Sequence, residues 1–209
     1  IVIPVNDPPT IATINNQEID EDGIFIYSLN GTDPDGDQLS FSAQMDSTIG
    51  SLSIDGNLLK IIPIANYNGN LQVTASVSDG EFIDNTDFTL TVNAVNDAPI
   101  VSQPLENMNL LEDSEAASVV LSPVFTDIDG DSLVYNATIS EEDIISTAIS
   151  GDTLTISTNE DAYGGPVIVS ITANDLGGRI LVSTSFDVTV MPVNDPPTIA
   201  TINNHEIDE

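Results

Sequence analysis

Val5-Asn6-Asp7-Pro8-Pro9-Thr10-Ile11-Ala12-Thr13-Ile14-Asn15-Asn16 returns near the other end of the 209-residue chain as Val193-Asn194-Asp195-Pro196-Pro197-Thr198-Ile199-Ala200-Thr201-Ile202-Asn203-Asn204. The copies lie 193 − 5 = 188 residues apart, and a third, Val95-Asn96-Asp97-Ala98-Pro99-Ile100, divides that interval into 90 and 98. Self-similarity at a fixed period marks tandem modules, each one folding unit. Other landmarks keep the beat: Asp33-Pro34-Asp35-Gly36-Asp37 matches Asp127-Ile128-Asp129-Gly130-Asp131, Glu21-Asp22 matches Glu112-Asp113, and Ser78-Asp79-Gly80 corresponds loosely to Asn174-Asp175-Leu176-Gly177. Glu206-Ile207-Asp208-Glu209 then repeats Glu18-Ile19-Asp20-Glu21. The expected organisation is residues 1–7 as the end of a preceding repeat, 8–97 and 98–195 as two full repeats, and 196–209 as the start of another.

Inside each unit the apolar residues alternate with polar ones, as in Leu71, Val73, Ala75, Val77 and then Phe88, Leu90, Val92. Period two places one face of a strand inward and the other in water. The second unit closes the same way, from Val167 to Ala173 and through Phe186, Val188 and Val190. Shorter runs at Ile24–Leu29, Leu39–Ala43, Leu52–Ile54 and Leu58–Ile62 are separated by Gly, Asp and Asn turns. With the Pro-Pro-Thr-Ile segment this makes about seven strands per unit, so the expectation is all-β, two tandem Greek-key β-sandwiches of Ig-like type, with no helix.

The charge is extreme: 34 Asp and Glu against Lys60 and Arg179, a formal net charge of −32. Such a chain repels phosphate backbones, which excludes nucleic acid as a direct partner. Cysteine is absent, so neither disulfides nor thiolate metal sites contribute. The apolar runs are far shorter than a membrane span, and direct membrane insertion is not expected. A merely solvating acidic surface would scatter its carboxylates, whereas metal coordination would gather them in short loops at recurring positions. This sequence gathers them.

Calcium takes six to eight oxygen ligands from carboxylates, amide or backbone carbonyls and water. Asp33, Asp35 and Asp37 alternate along a turn that Gly36 allows, and Asp127, Asp129 and Asp131 do the same at Gly130. These are not EF-hand loops, because the glycine comes too early and the twelfth positions are Gln44 and Thr138 instead of glutamate.

Taken in order, Val-Asn-Asp-Ala-Pro, Glu-Asp-Gly, Asp-Pro-Asp-Gly-Asp, Ala65-Asn66-Tyr67-Asn68-Gly69 and Ser78-Asp79-Gly80 resemble the landmarks of bacterial cadherin-like tandem repeats, found in very large surface proteins and adhesins. The resemblance implies calcium ions at the junctions between repeats. Carried onto matching positions, one complete junction would use Glu21, Asn96, Asp97, Asp127, Asp129 and Asp175, with Asn96 offering its carbonyl oxygen. Asn6, Asp7, Asp33, Asp35 and Asp79 would form half of an upstream site, and Glu112, Asn194 and Asp195 part of a downstream one. The linker Asn93-Ala94-Val95-Asn96-Asp97-Ala98 has fewer acidic and amide groups than the cadherin pattern. The Leu-Asp-Arg-Glu motif of that pattern is replaced by Ala65-Asn66-Tyr67-Asn68 and Asn159-Glu160-Asp161. The competing reading of these Asp and Asn residues is local capping of turns.

The function so implied is a calcium-stiffened structural or adhesive segment of a secreted or surface-displayed bacterial protein, not an enzyme. Its partners would be neighbouring repeats, with a surface polysaccharide or homophilic protein contact beyond them. A calcium-dependent carbohydrate-binding module is the alternative. A Ser-His-Asp triad is disfavoured because the only histidine, His205, replaces Gln17 of the first repeat. Lys60 interrupts Leu58-Leu59-Lys60-Ile61-Ile62 and is expected on the solvent side, guarding a sheet edge. Tyr67 and Tyr163, each just before a glycine or one residue removed from it, are expected to cap the cores instead of stacking on sugars.

Overall fold

The alternating segments of the sequence form strands, as period-two burial requires. In the computed structural model, which describes residues 5–177, 180–197 and 199, every element is a β-strand. Arg179, His205 and most of the expected further repeat lie outside the described residues. The chain divides into two units, Ile1–Val95 and Asn96–Glu209.

The first unit contains β1 (Thr10–Ile11), β2 (Gln17–Asp20), β3 (Phe25–Ser28), β4 (Gly31–Thr32), β5 (Ser40–Gln44), β6 (Gly50–Asp55), β7 (Leu58–Pro63), β8 (Gly69–Ser78) and β9 (Ile83–Asn93). One sheet has the order β2-β9-β8-β5 and the other β3-β7-β6, with β1 and β4 paired beside them. The chain passes from one sheet to the other between β2 and β3, β3 and β5, β5 and β6, and β7 and β8, which is the sandwich topology expected. The alternation pays off in the core: Leu71, Val73, Ala75 and Val77 on β8 meet Phe88, Leu90 and Val92 on β9 and Leu59 and Ile61 on β7, all buried. Each fully buried Leu, Ile, Val or Phe contributes roughly 1.5–3 kcal/mol relative to leaving it in water.

The second unit repeats the plan with β10 (Ile100–Val101), β11 (Met108–Leu111), β12 (Ala117–Val120), β13 (Phe125–Thr126), β14 (Val134–Ile139), β15 (Ile145–Ser150), β16 (Thr153–Thr158), β17 (Gly164–Asn174) and β18 (Val182–Met191). Its sheets run β11-β18-β17-β14 and β12-β16-β15. Val167, Val169, Ile171, Phe186, Val188 and Val190 fill a separate core with Leu154 and Ile156.

Two elements differ from expectation. β2 and β11, Gln-Glu-Ile-Asp and Met-Asn-Leu-Leu, were not among the expected strands, yet pair parallel to β9 and β18. Asn16 Oδ1 accepts the Thr89 N–H at 3.0 Å, and Asn107 Oδ1 accepts that of Asp187 at 2.9 Å, so an amide side chain starts each ladder. Lys60 does not guard an edge: it lies on β7, the middle strand, opposite Ile26 on one side and Ser53 on the other. Among the described residues no helix is long and apolar enough to cross a membrane.

Candidate metal-binding loops

Each unit presents its carboxylates on turns that the backbone itself builds. In the first, Gly36 at φ +81° lets Asp33, Asp35 and Asp37 fold back on one another. The Asp35 and Asp37 N–H groups donate to Asp33 Oδ1 at 2.8 and 3.1 Å. In the second unit Asp129 and Asp131 donate to Asp127 Oδ1 at 3.0 and 3.3 Å. One oxygen of the leading aspartate therefore caps the turn, as the local reading anticipated. The other does not: Asp33 Oδ2 and Asp127 Oδ2 are buried without a hydrogen-bond partner. Within each triplet one carboxylate oxygen per residue comes within 4.8 Å of the other two.

The Asn-Asp pair of the preceding linker closes onto this turn. The Asp7 N–H donates to Asp35 Oδ2 at 2.7 Å, and the Asp97 N–H donates to Asp129 Oδ2 at the same distance. Asn6 Nδ2 donates to Asp79 Oδ2 at 3.0 Å, and Asn96 Nδ2 to Asp175 Oδ2 at 2.8 Å. Asp79 Oδ1 also receives the N–H groups of Glu81 and Phe82. The Phe82 N–H foremost, with the bonds from Glu81 and Asn6, holds the Asp79 carboxyl below its ordinary value against the opposing effect of desolvation. Asp175 is 7% exposed. Five expected residues of the first unit (Asn6, Asp7, Asp33, Asp35, Asp79) and five of the second (Asn96, Asp97, Asp127, Asp129, Asp175) are thus joined into two matching clusters.

Glu21 belongs to the first unit and sits at the opposite end of the β2 ladder from Asn16. Its N–H continues the ladder to Asn93 O at 2.9 Å, and its side chain turns inward to 6% exposure. There Oε1 accepts the Val95 N–H while Oε2 is buried without a hydrogen-bond partner. Glu112 makes the same Oε1 contact in the second unit, 4% exposed and accepting the Val193 N–H at 2.6 Å. Burying an ionised carboxylate without a counter-charge costs several kcal/mol, of order, unless a cation is supplied. The chain has almost no cations of its own to supply.

The sequence reading missed one cluster. Asp113, Asp161 and Asp195 bring a carboxylate oxygen each within 4.8 Å, all on exposed residues of the second unit. Asp195 was expected as a ligand, but Asp113 and Asp161 were not. Both occupy left-handed backbone, at φ 56° and 55°, and the Asp161 N–H donates to Asp113 Oδ1. The first unit has the same turn with Asn66 in place of Asp161, donating to Asp22 at 3.1 Å. The signal lay in the Glu112-Asp113 pair and in Asp161 at the Leu-Asp-Arg-Glu position, where a departure from the motif concealed an acidic residue. Asn194 places its Nδ2 on Asp195 O at 3.2 Å.

The aromatic residues divide. Tyr67 packs against the first core, as expected of a cap, whereas Tyr163 is 60% exposed and lies outside the second core.

Residues 5–93 match the family model of the cadherin-like domain. No curated protein matches the chain. Among solved structures it is similar to human protocadherin-24 EC1-2, at 18% identity and a TM-score of 0.57, over 91% of this chain and 100% of that one. It is also similar to an endo-fucoidan hydrolase of glycoside hydrolase family 107, at 18% identity and a TM-score of 0.39 over 88% of this chain. The chain spans only 29% of that hydrolase, and so weak a likeness carries no argument about activity. The protocadherin likeness shows the fold: the first unit is a cadherin-like β-sandwich, and the second has the same strand order.

Proposed function

We propose that this chain is a structural and adhesive segment of a secreted or cell-surface bacterial protein, stiffened by calcium bound at the junctions between its repeats. The observation that carries the proposal is the set of buried carboxylate oxygens without a hydrogen-bond partner, Glu21 Oε2, Asp33 Oδ2 and Asp127 Oδ2, the last two on turns where further carboxylates converge. All-oxygen donors with no imidazole or thiolate suit a hard cation, and their number and irregular loops suit calcium better than the rigid octahedron of magnesium. Glu21 would contribute from the first unit, and Asn96, Asp97, Asp127, Asp129 and Asp175 from the second. Asn6, Asp7, Asp33, Asp35 and Asp79 would serve an upstream neighbour, and Glu112, Asn194 and Asp195 a downstream one.

An ion ligated from two units binds best when their orientation is fixed, so its binding free energy becomes rigidity of the junction. Extracellular modules bind calcium with Kd of about 10⁻⁴–10⁻³ M, which would leave the array loose in the cytosol and stiff outside. The absence of cysteine makes the test simple. Spin labels at Ser53→Cys on β6 and Ser146→Cys on β15, both exposed positions, should give a broad distance distribution in chelator that narrows in millimolar calcium. An unchanged distribution with calcium bound would remove the stiffening role. A carbohydrate-binding role, the alternative, would instead show as calcium-dependent retention on an immobilised polysaccharide panel.

A further inference from the structure

The clusters of the two units differ at one turn position. In the first unit Glu81, two residues after Asp79, donates its N–H to Asp79 Oδ1 at 2.7 Å. In the second, the residue whose N–H caps Asp175 Oδ1 at 2.9 Å is Gly177. The glycine is not there for its backbone, because only glycines with left-handed φ carry that requirement and Gly177 is not among them. It is there for space. A Cβ on Gly177 would fall 2.7 Å from Asn96 Cγ and 3.2 Å from Nδ2, with Oδ1 nearer still. The Asn96 carboxamide cannot swing aside without loss, because its Nδ2 donates both to Asp175 Oδ2 at 2.8 Å and to Asp97 O at 3.0 Å. Those two acceptors fix which end of the amide is nitrogen, so it is the carbonyl oxygen that rests against the bare Cα of Gly177.

We infer that Gly177 is the positioning residue of the second unit's cluster: its missing side chain seats the Asn96 carboxamide on Asp175 and sets where the Asn96 carbonyl oxygen stands. The consequence for calcium rests on the function proposed above, while the seating itself does not. A methyl group at Gly177 displaces the amide, separates Asn96 from Asp175 and removes a neutral oxygen donor from the cluster. The first unit carries Glu81 at this position, and its Asn6–Asp79 bond forms with a residue there that has a Cβ. The two clusters are therefore not interchangeable, and the second is the one sensitive to substitution here.

The test is a cycle of Gly177→Ala, Asn96→Ala and the double variant, with Glu81→Ala as the counterpart in the first unit. In chelator, the side-chain amide resonances of Asn96, held by its two hydrogen bonds, should be distinct from those of unbonded asparagines in the wild type and should move to unbonded values in Gly177→Ala. In calcium titrations Gly177→Ala should weaken one class of site by about ten- to a hundredfold, as loss of an orienting partner does, and should add nothing in the Asn96→Ala background. Glu81→Ala should leave that class unchanged. Unmoved Asn96 resonances, or an effect of Gly177→Ala that persists in full without the Asn96 side chain, would overturn the inference. If the wild type binds no calcium the proposed function fails, and the Asn96 resonances still decide the seating.

Discussion

A single carboxylate here performs two tasks, and its oxygens separate them. Asp33 and Asp127 each cap a turn through Oδ1 and leave Oδ2 buried and without a hydrogen-bond partner, so the local reading is realised by one oxygen while the other stays available to the proposed ion. Residue type and spacing made the aspartates legible, but not which oxygen was committed, because that depends on the turn closing. Glu21 is the sharper case: Glu21→Gln keeps the acceptor for the Val95 N–H and removes an uncompensated buried charge. It should raise the melting temperature in chelator, yet lower calcium affinity by about tenfold or more. A chelated melt that falls instead would show that the charge is already compensated. Leu176 holds φ +66° at the turn position where the first unit has Gly80, and left-handed backbone costs a residue with a Cβ about 1–2 kcal/mol. Leu176→Gly should therefore stabilise the second unit by about 0.5–1 kcal/mol in urea denaturation, the entropy of glycine offsetting part of the gain.

At the scale of the elements, the long alternating strands were readable because β8, β9, β17 and β18 bury every second residue against a core. Leu90→Ala, at the centre of that packing, should cost about 2–5 kcal/mol by chemical denaturation, and a cost below 1 kcal/mol would contradict the assigned core. β2 and β11 were not readable: they are short, and their pairing is set by a partner strand some 70 residues away in sequence, as in Gln17↔Leu90. The edge role assigned to Lys60 failed for the same reason, since strand order within a sheet is a long-range property. The β5–β6 turn carries its own pH signature. The Thr48 hydroxyl, followed by the Thr48 N–H, holds the Asp46 carboxyl below its ordinary value. A depressed folded pKa contributes stability above the unfolded value that disappears as pH falls through the folded one. The stability difference between wild type and Asp46→Ala should accordingly be present at pH 5 and vanish toward pH 2. A difference that is flat across this range would assign it to packing.

Over the whole molecule, 34 acidic residues against two basic ones make self-repulsion a standing cost of the folded state. Monovalent salt relieves such repulsion diffusely through screening, whereas ligated calcium relieves it at particular carboxylates. That difference separates a salt-adapted surface from a built metal site. The repeats, the two sandwiches and most of the cluster residues were legible because tandem modules state each landmark twice. The cluster at Asp113, Asp161 and Asp195 was not, because one repeat has Asn66 where the other has Asp161, and the duplication that revealed everything else was broken there. The most direct test is a calorimetric calcium titration of chelator-stripped protein at fixed moderate salt, beside the variant Asp97→Ala/Asp127→Ala. Saturable binding at roughly 10⁻⁴–10⁻³ M in the wild type, with a class of sites missing from the variant, is the predicted result. Heats that merely follow ionic strength, alike in both proteins, would contradict it and leave a cadherin-like fold with an acidic surface and no bound ion.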